Sequence, residues 1–136
     1  MPSTSSENSG KPAPCRILIV EDEALVRMFA VDALEDAGFA IAEAATATEA
    51  MKLLQIASEP IRAVVVDLGL PDRPGDQLAA EMRSLHPELP ILIASGRSEK
   101  ELKERFAIDD RVAIMVKPYT GPMLLQALLS LGVAAS

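Results

Sequence analysis

Chemically reactive side chains follow directly after four short apolar runs in this sequence. Glu21-Asp22 follows ILIV, and Asp67 follows VVV. Ser95 follows ILIA, and Lys117 follows IMV. Three carboxylates that lie close together repel one another unless a cation balances them. Oxygen ligands of this kind suit Mg²⁺, and without a neighbouring His or Cys the set does not fit zinc or copper.

Lys117 and Ser95 are not explained by metal binding alone. A phosphoryl group in transfer needs cationic and hydrogen-bonding partners at its oxygens while a carboxylate attacks phosphorus. An ammonium and a hydroxyl beside a metal-binding carboxylate cluster supply those partners. The combination of residue types therefore indicates phosphoryl transfer to a carboxylate.

From Cys15 onward, short apolar runs alternate with longer amphipathic ones, which predicts a parallel sheet covered by helices. Most of the runs are continuously apolar, as strands buried on both faces require. The predicted strands are Arg16–Val20, Phe39–Ala44, Arg62–Val66, Ile91–Ala94 and Val112–Val116. Because ligands bind beyond the carboxyl ends of such strands, the candidate groups should meet at one edge of the sheet. The second strand contributes none of them.

Helical patterns separate the strands. The first contains an apolar stripe that includes Phe29 and Ala30 and ends at Gly38. The second begins with Thr46 and Glu49 at capping-box spacing. Three more helices are predicted after Pro74-Gly75, over Ser98–Phe106 and over about Pro122–Leu131.

Four segments together resemble the receiver domains of two-component response regulators, over about Cys15 to Leu131. The segments are ILIVEDE, VVVDLGLPDRPGDQLAAEMR, ILIASG and IMVKPY, in that order. The fold class is therefore expected to be α/β, a doubly wound, five-stranded parallel sheet in the order 2-1-3-4-5. Five helices should cover its two faces, as in the flavodoxin-like receiver fold.

The resemblance implies a role for each acidic residue. Asp67 would be the phosphoacceptor, and a charge that adjoins so apolar a run favours this role over a simple strand cap. Asp22 would bind Mg²⁺ directly, and Glu21 would act mainly through a metal-bound water. The backbone carbonyl of Gly69 would complete the metal ligands that the protein supplies.

The resemblance also assigns the other groups. Lys117 would pair with Asp67 before transfer and with a phosphate oxygen afterwards, and Lys117-Pro118 would be a cis peptide. Ser95 would hydrogen-bond the phosphoryl group. Ile114 departs from the family, in which an aromatic residue often stands three positions before the lysine. Asp72 lies in the turn after the acceptor and receives no chemical role.

The chain has 136 residues and a net charge of −7, which fits one globular domain and argues against nucleic-acid binding. Residues 1–14 are polar and Pro- and Ser-rich, which predicts a flexible tail before a domain over 15–136. One cysteine, no secretory signal and no apolar run of membrane-spanning length indicate a cytoplasmic protein without a membrane partner.

A receiver of this kind is expected to accept phosphate from a sensor histidine kinase or a histidine phosphotransfer protein. It would modify itself rather than act as an enzyme on other molecules, and it would lose the phosphate by slow self-hydrolysis. As a stand-alone monomer or weak dimer, it would signal by contact with an unknown downstream protein. The alternatives are a phosphate relay or sink, and a receiver fragment of a longer hybrid kinase.

Two other classes of protein fit the sequence less well. An aspartyl phosphatase would normally have a second Asp two residues after the first, where this chain has Gly69. A flavin-binding domain of similar topology would need a Ser/Thr/Gly-rich loop after the first strand, where this chain has Glu21-Asp22-Glu23.

Overall fold

Five parallel strands form a single sheet in the computed structural model. The structure describes residues 15–56, 58, 60–96, 104 and 109–135. The strands are β1 (Arg16–Val20), β2 (Ala40–Ala44), β3 (Ala63–Asp67), β4 (Ile91–Ser95) and β5 (Val112–Val116). Their order is β2-β1-β3-β4-β5, so the predicted topology is confirmed, with each strand end within one residue of its prediction. Asp67 and Ser95 are the last residues of their strands.

Four helices lie within the described residues. They are α1 (Ala24–Asp36), α2 (Ala47–Leu54), α3 (Gly75–Leu85) and α4 (Gly121–Ser130). The helix predicted over Ser98–Phe106 lies in a part of the chain where the structure describes only residue 104. None of the described helices combines the length and the apolar composition that crossing a lipid bilayer requires.

The two faces of the sheet pack against different helices. On one face, Val64 and Val66 belong to a core with residues of α2 and α3. On the other face, Val65 belongs to a core with residues of α1 and α4. Since successive residues of a strand point to opposite faces, both sets must be apolar. This arrangement explains the continuously apolar runs and leaves the strand ends as the places for polar groups.

The buried face of α1 differs from the predicted stripe. Ala30 and Leu34, four residues apart on one side of the helix, are both 0% exposed. Phe29 is 45% exposed, so the buried face includes Ala30 of the predicted stripe but not Phe29. The predicted end of the helix is confirmed, because Gly38 has a φ of +99° and the next N–H, that of Phe39, donates to the carbonyl of Leu34 at 3.0 Å.

Arg83 at the end of α3 and Asp109 before β5 form a two-pronged ion pair away from the carboxyl ends of the strands. The Nε and Nη2 atoms of Arg83 lie 2.8 Å and 3.1 Å from the two carboxylate oxygens of Asp109. Burial alone would raise the pKa of Asp109, but the hydrogen bonds from Arg83 and from the Arg111 N–H outweigh it and lower the pKa.

We expect Asp109→Asn to lower the free energy of unfolding at pH 7 by about 1 kcal/mol. A depressed pKa in the folded state contributes stability above the unfolded-state pKa, and this contribution is lost as the pH falls through the folded-state value. The difference between the wild type and Asp109→Asn should therefore shrink from neutral pH to about pH 3 in urea unfolding curves. The exposed neighbour supplies the control, Asp110→Asn. An equal pH trend in both variants would contradict the role of the pair.

Candidate functional site

Three carboxylates meet at the carboxyl edge of the sheet. Glu21 and Asp22 follow β1, and Asp67 ends β3, which is the neighbour of β1. One oxygen from each of the three lies within 4.8 Å of the others. Glu21 and Asp67 are buried, at 4% and 7% exposure, and Asp22 is exposed. A set of oxygen ligands around one point, open to solvent on one side, is compatible with a hard divalent cation that keeps some of its waters.

Lys117, which follows β5, extends into this acidic cluster. Its Nζ donates to Oδ1 of Asp67 at 2.8 Å and to Oε1 of Glu21 at 3.2 Å. Burial alone would lower the pKa of Lys117, but the hydrogen bonds and charges of Asp67 and Glu21 outweigh it and raise the pKa. The side chain is therefore an ammonium at neutral pH. The cis peptide predicted between Lys117 and Pro118 is confirmed.

The surroundings of the Glu21 side chain disfavour its charged form. Burial raises its pKa, and the nearby Asp67 carboxylate adds to this effect, while the Glu23 N–H and Lys117 offset only part of it. A carboxylate that loses hydration without a full complement of positive partners binds a cation readily. The electrostatics of the cluster are thus, like its geometry, compatible with a divalent cation.

Ser95 and Gly69 border the cluster. Ser95 is fully buried at the end of β4, one residue beyond Ala94, the register partner of Asp67. The carbonyl of Ser95 accepts a hydrogen bond from the Lys117 N–H at 2.8 Å. The N–H of Gly69 donates to Oδ2 of Asp67 at 3.2 Å, so the loop after β3 bonds the carboxylate oxygen that Lys117 does not. All six predicted site residues therefore lie along this edge of the sheet.

Arg27 supports the cluster and was missed from the sequence, where it falls on the polar side of α1. Its Nη1 donates to the carbonyl of Glu21 at 2.7 Å, and its Nε contacts Oε1 of Glu43 at 3.2 Å. That carbonyl belongs to the peptide that joins Glu21 to Asp22, so Arg27 fixes the orientation of the link between two candidate metal ligands. A basic residue one turn into a helix that follows an acidic loop is the only sequence signal for this role.

Gly75, the first residue of α3, lies directly against the end of β3. A Cβ at this position would lie 2.2 Å from the carbonyl oxygen of Asp67 and 2.7 Å from Cα of Leu68. The N–H of Gly75 donates to the carbonyl of Leu68 at 2.9 Å. Only glycine permits this approach, which brings the start of α3 up to the backbone that carries Asp67.

Tyr119, two residues after Lys117, and Ile114, three residues before it, pack in different parts of the molecule. Tyr119 packs beside Phe29 with ring centroids 6.0 Å apart, and burial raises the pKa of its hydroxyl. Leu25, Phe29, Lys117 and Tyr119 are among the residues that line an apolar groove beside the cluster. Ile114, where many receivers have an aromatic residue, packs against the core on the α2–α3 face.

Relatives of this chain are found among curated proteins. A segment of Sensor kinase CckA from Brucella abortus is 32% identical over 104 residues, covering 76% of this chain and 11% of that protein. Transcriptional regulatory protein PdtaR from Mycobacterium tuberculosis is 34% identical over 116 residues, covering 85% of this chain and 55% of that protein. The chain thus spans about half or less of the length of these two relatives.

Solved structures share its fold. A response regulator receiver protein from Sinorhizobium medicae superposes with a TM-score of 0.76 at 29% identity, covering 86% of this chain and 93% of that chain. The chemotaxis response regulator CheY4 of Vibrio cholerae gives a TM-score of 0.77 at 25% identity, covering 88% and 99% of the two chains. Residues 17–129, which include the acidic cluster and its lysine, match the family described as the response regulator receiver domain. The chain belongs to that family.

Proposed function

We propose that this chain accepts a phosphoryl group on Asp67 in a Mg²⁺-dependent reaction and signals by contact with another protein. The observation that carries the proposal is the position of Lys117, whose ammonium bonds Oδ1 of Asp67 inside the acidic cluster. An ammonium beside a carboxylate is the arrangement needed to stabilise charge on a phosphoryl group that the carboxylate attacks.

In the proposed transfer, an oxygen of Asp67 bonds to phosphorus as the phosphorus–nitrogen bond of a donor phosphohistidine breaks. The departing imidazole keeps the electron pair and takes a proton from water. Lys117 then exchanges its contact with Asp67 for one with a phosphate oxygen, and the Ser95 hydroxyl hydrogen-bonds the phosphoryl group. Slow attack by water later removes the phosphate, so the chain modifies itself and turns over no external substrate.

The metal would be held by Asp22 and Asp67 directly, by Glu21 through a water and by the carbonyl of Gly69. When bound, Mg²⁺ supplies positive charge that lets an anionic phosphoryl group approach three carboxylates. The donor set contains only oxygen atoms, which favours Mg²⁺ over zinc or copper. Lys117 alone provides a single positive charge, which does not balance the cluster.

The proposed donor is a sensor histidine kinase or a histidine phosphotransfer protein in the cytoplasm. The similarity to part of a protein named a sensor kinase supports this class of partner. The apolar groove lined by Leu25, Phe29 and Tyr119 adjoins Lys117, so apolar side chains of a partner could pack near the acceptor. The receiver would act as a monomer or weak dimer. A phosphate relay or sink, or a part of a hybrid kinase, would use the same site.

Incubation with Mg²⁺ and acetyl phosphate tests the proposal. We expect intact-mass spectrometry to detect the addition of one phosphoryl group to the wild type and none to Asp67→Asn, because the amide is a poor nucleophile. Asp36→Asn, which makes the same change at an exposed position of α1, should label like the wild type. Equal labelling of the wild type and Asp67→Asn would contradict the proposal. Steady turnover of a simple phosphate ester would instead favour a phosphatase.

A further inference from the structure

Asp72, in the loop between β3 and α3, bonds the N-terminus of α2. Its Oδ1 accepts from the Ala47 N–H at 2.9 Å, and its Oδ2 accepts from the N–H and the hydroxyl of Thr48 at 3.0 Å and 3.1 Å. The bond from Ala47 is the main reason that the pKa of Asp72 is lowered. A single exposed side chain thus makes three hydrogen bonds to an element about 25 residues away.

The helix does not depend on Asp72 alone for its start. The hydroxyl oxygen of Thr46 accepts from the Glu49 N–H at 3.1 Å, and the Glu49 carboxylate accepts from the Ala45 N–H at 2.9 Å. The capping residues predicted from the sequence are therefore confirmed, although the reciprocal bond goes to Ala45 rather than to Thr46. With this local cap in place, the bonds from Asp72 connect two separate parts of the molecule.

Gly69 lies in the same loop, and a separate hydrogen bond fixes each end of that loop. The Gly69 N–H donates to Asp67 near the beginning of the loop, and the Gly75 N–H donates to Leu68 at its end. Asp72 fixes the middle. Only Leu70 and Pro71 separate Gly69 from Asp72. Leu70 is buried in the core, and the ring of Pro71 restricts the backbone of Pro71 itself. The backbone between Gly69 and Asp72 therefore has little conformational freedom.

We infer that Asp72 is a positioning residue for the metal site, because its bonds to α2 fix the loop that presents the carbonyl of Gly69. The inference rests on the proposed function, in which that carbonyl is a metal ligand. Side chains that orient metal ligands commonly change metal affinity by about 10- to 100-fold when they are removed. Coupling of two sites is reciprocal, so metal binding should in turn slow hydrogen exchange at the Ala47 and Thr48 amides.

Amide chemical-shift titration of the full chain with MgCl₂ provides the test. We expect Asp72→Ala to weaken Mg²⁺ binding about tenfold. Asp72→Asn, whose amide oxygen can still accept one of the bonds, should have a smaller effect. The matched control is Thr46→Ala, which removes the local cap of the same helix without touching the loop. It should lower the thermal midpoint and leave Mg²⁺ affinity unchanged. If Asp72→Ala does not fold, Asp72→Asn replaces it, and wild-type Mg²⁺ affinity in that variant would overturn the inference.

Hydrogen exchange supplies the second readout. In the wild type, MgCl₂ should increase protection of the Ala47 and Thr48 amides, and in Asp72→Ala this increase should disappear. Wild-type Mg²⁺ affinity in Asp72→Ala, or an equal loss of affinity in Thr46→Ala, would overturn the positioning role.

The outcomes also separate this role from the proposed function. Mg²⁺ binding that depends on Asp72 in a protein that takes no phosphate would support the positioning role and defeat the proposed function. Phosphorylation of a protein whose Mg²⁺ affinity does not depend on Asp72 would support the proposed function and defeat the positioning role. A wild type that binds no Mg²⁺ would overturn both.

Discussion

Gly75→Ala is expected to lower the free energy of unfolding by about 3 kcal/mol, at the upper end of the usual cost of overpacking. The added methyl would lie 2.2 Å from the carbonyl oxygen of Asp67, and backbone atoms cannot rotate away as a side chain could. Either α3 must move off the sheet or β3 must bend. Both displace Asp67, so phosphorylation by acetyl phosphate should fall together with the urea midpoint.

Gly121→Ala is the matched control for this prediction. Gly121 is the first residue of α4, as Gly75 is of α3, and a Cβ there would make an ordinary 3.6 Å contact with Ala33. Alanine favours helix more than glycine does, so this variant should be as stable as the wild type or slightly more so. If the two variants unfolded at the same urea concentration, the close approach of α3 to Asp67 would be wrong.

Lys117→Met should lower the free energy of unfolding in metal-free solution by about 2 kcal/mol. Removing one partner of a fully buried ion pair costs about 3–5 kcal/mol, because the other charge is left without compensation. The side chain of Lys117 is 22% exposed, so solvent reduces the loss. Glu21 and Asp67 would remain buried beside each other. Labelling by acetyl phosphate should slow on the order of 100-fold, as when one donor to a developing negative charge is removed.

Urea unfolding of Lys117→Met with EDTA and with MgCl₂ measures this effect. The stability deficit should shrink in MgCl₂, because a ligand that binds only the folded state stabilises it and would replace part of the missing positive charge. Lys52→Met, at an exposed position of α2, removes the same charge away from the cluster and should change neither stability nor labelling. Wild-type stability of Lys117→Met in EDTA would show that the ammonium does not compensate the buried carboxylates.

The sheet and the acidic cluster with its lysine were predictable because they depend on short-range patterns. Continuously apolar runs bounded by polar residues indicate buried parallel strands, and a parallel sheet brings all of their carboxyl ends to one edge. The positions of Glu21, Asp67 and Lys117 relative to one another follow from that rule. The family resemblance added Gly69 and the cis peptide, which no periodicity indicates.

The supporting contacts were not predictable from the same patterns. Nearly the whole of α1 between Leu25 and Leu34 is apolar, so spacing admitted a stripe through Phe29 as well as the one through Leu34. In the folded protein, the stripe through Leu34 is the one that packs against α4 and the sheet. Arg27 and Asp72 are polar residues on exposed-looking segments, and their partners become apparent only when the chain is folded. A hydrogen bond from a side chain to an element that is distant in the sequence leaves no pattern in the linear sequence.

Through Arg27, we expect the acidic cluster to respond indirectly to ionic strength. The guanidinium is held on one side by Glu43, whose side chain is 50% exposed near the end of the edge strand β2. Dissolved ions compete for such a pair. Added salt should therefore loosen the group that orients the Glu21–Asp22 peptide, and it should also screen the carboxylates from a proposed divalent cation. If the chain binds a divalent cation as proposed, affinities should be compared only at the same salt concentration.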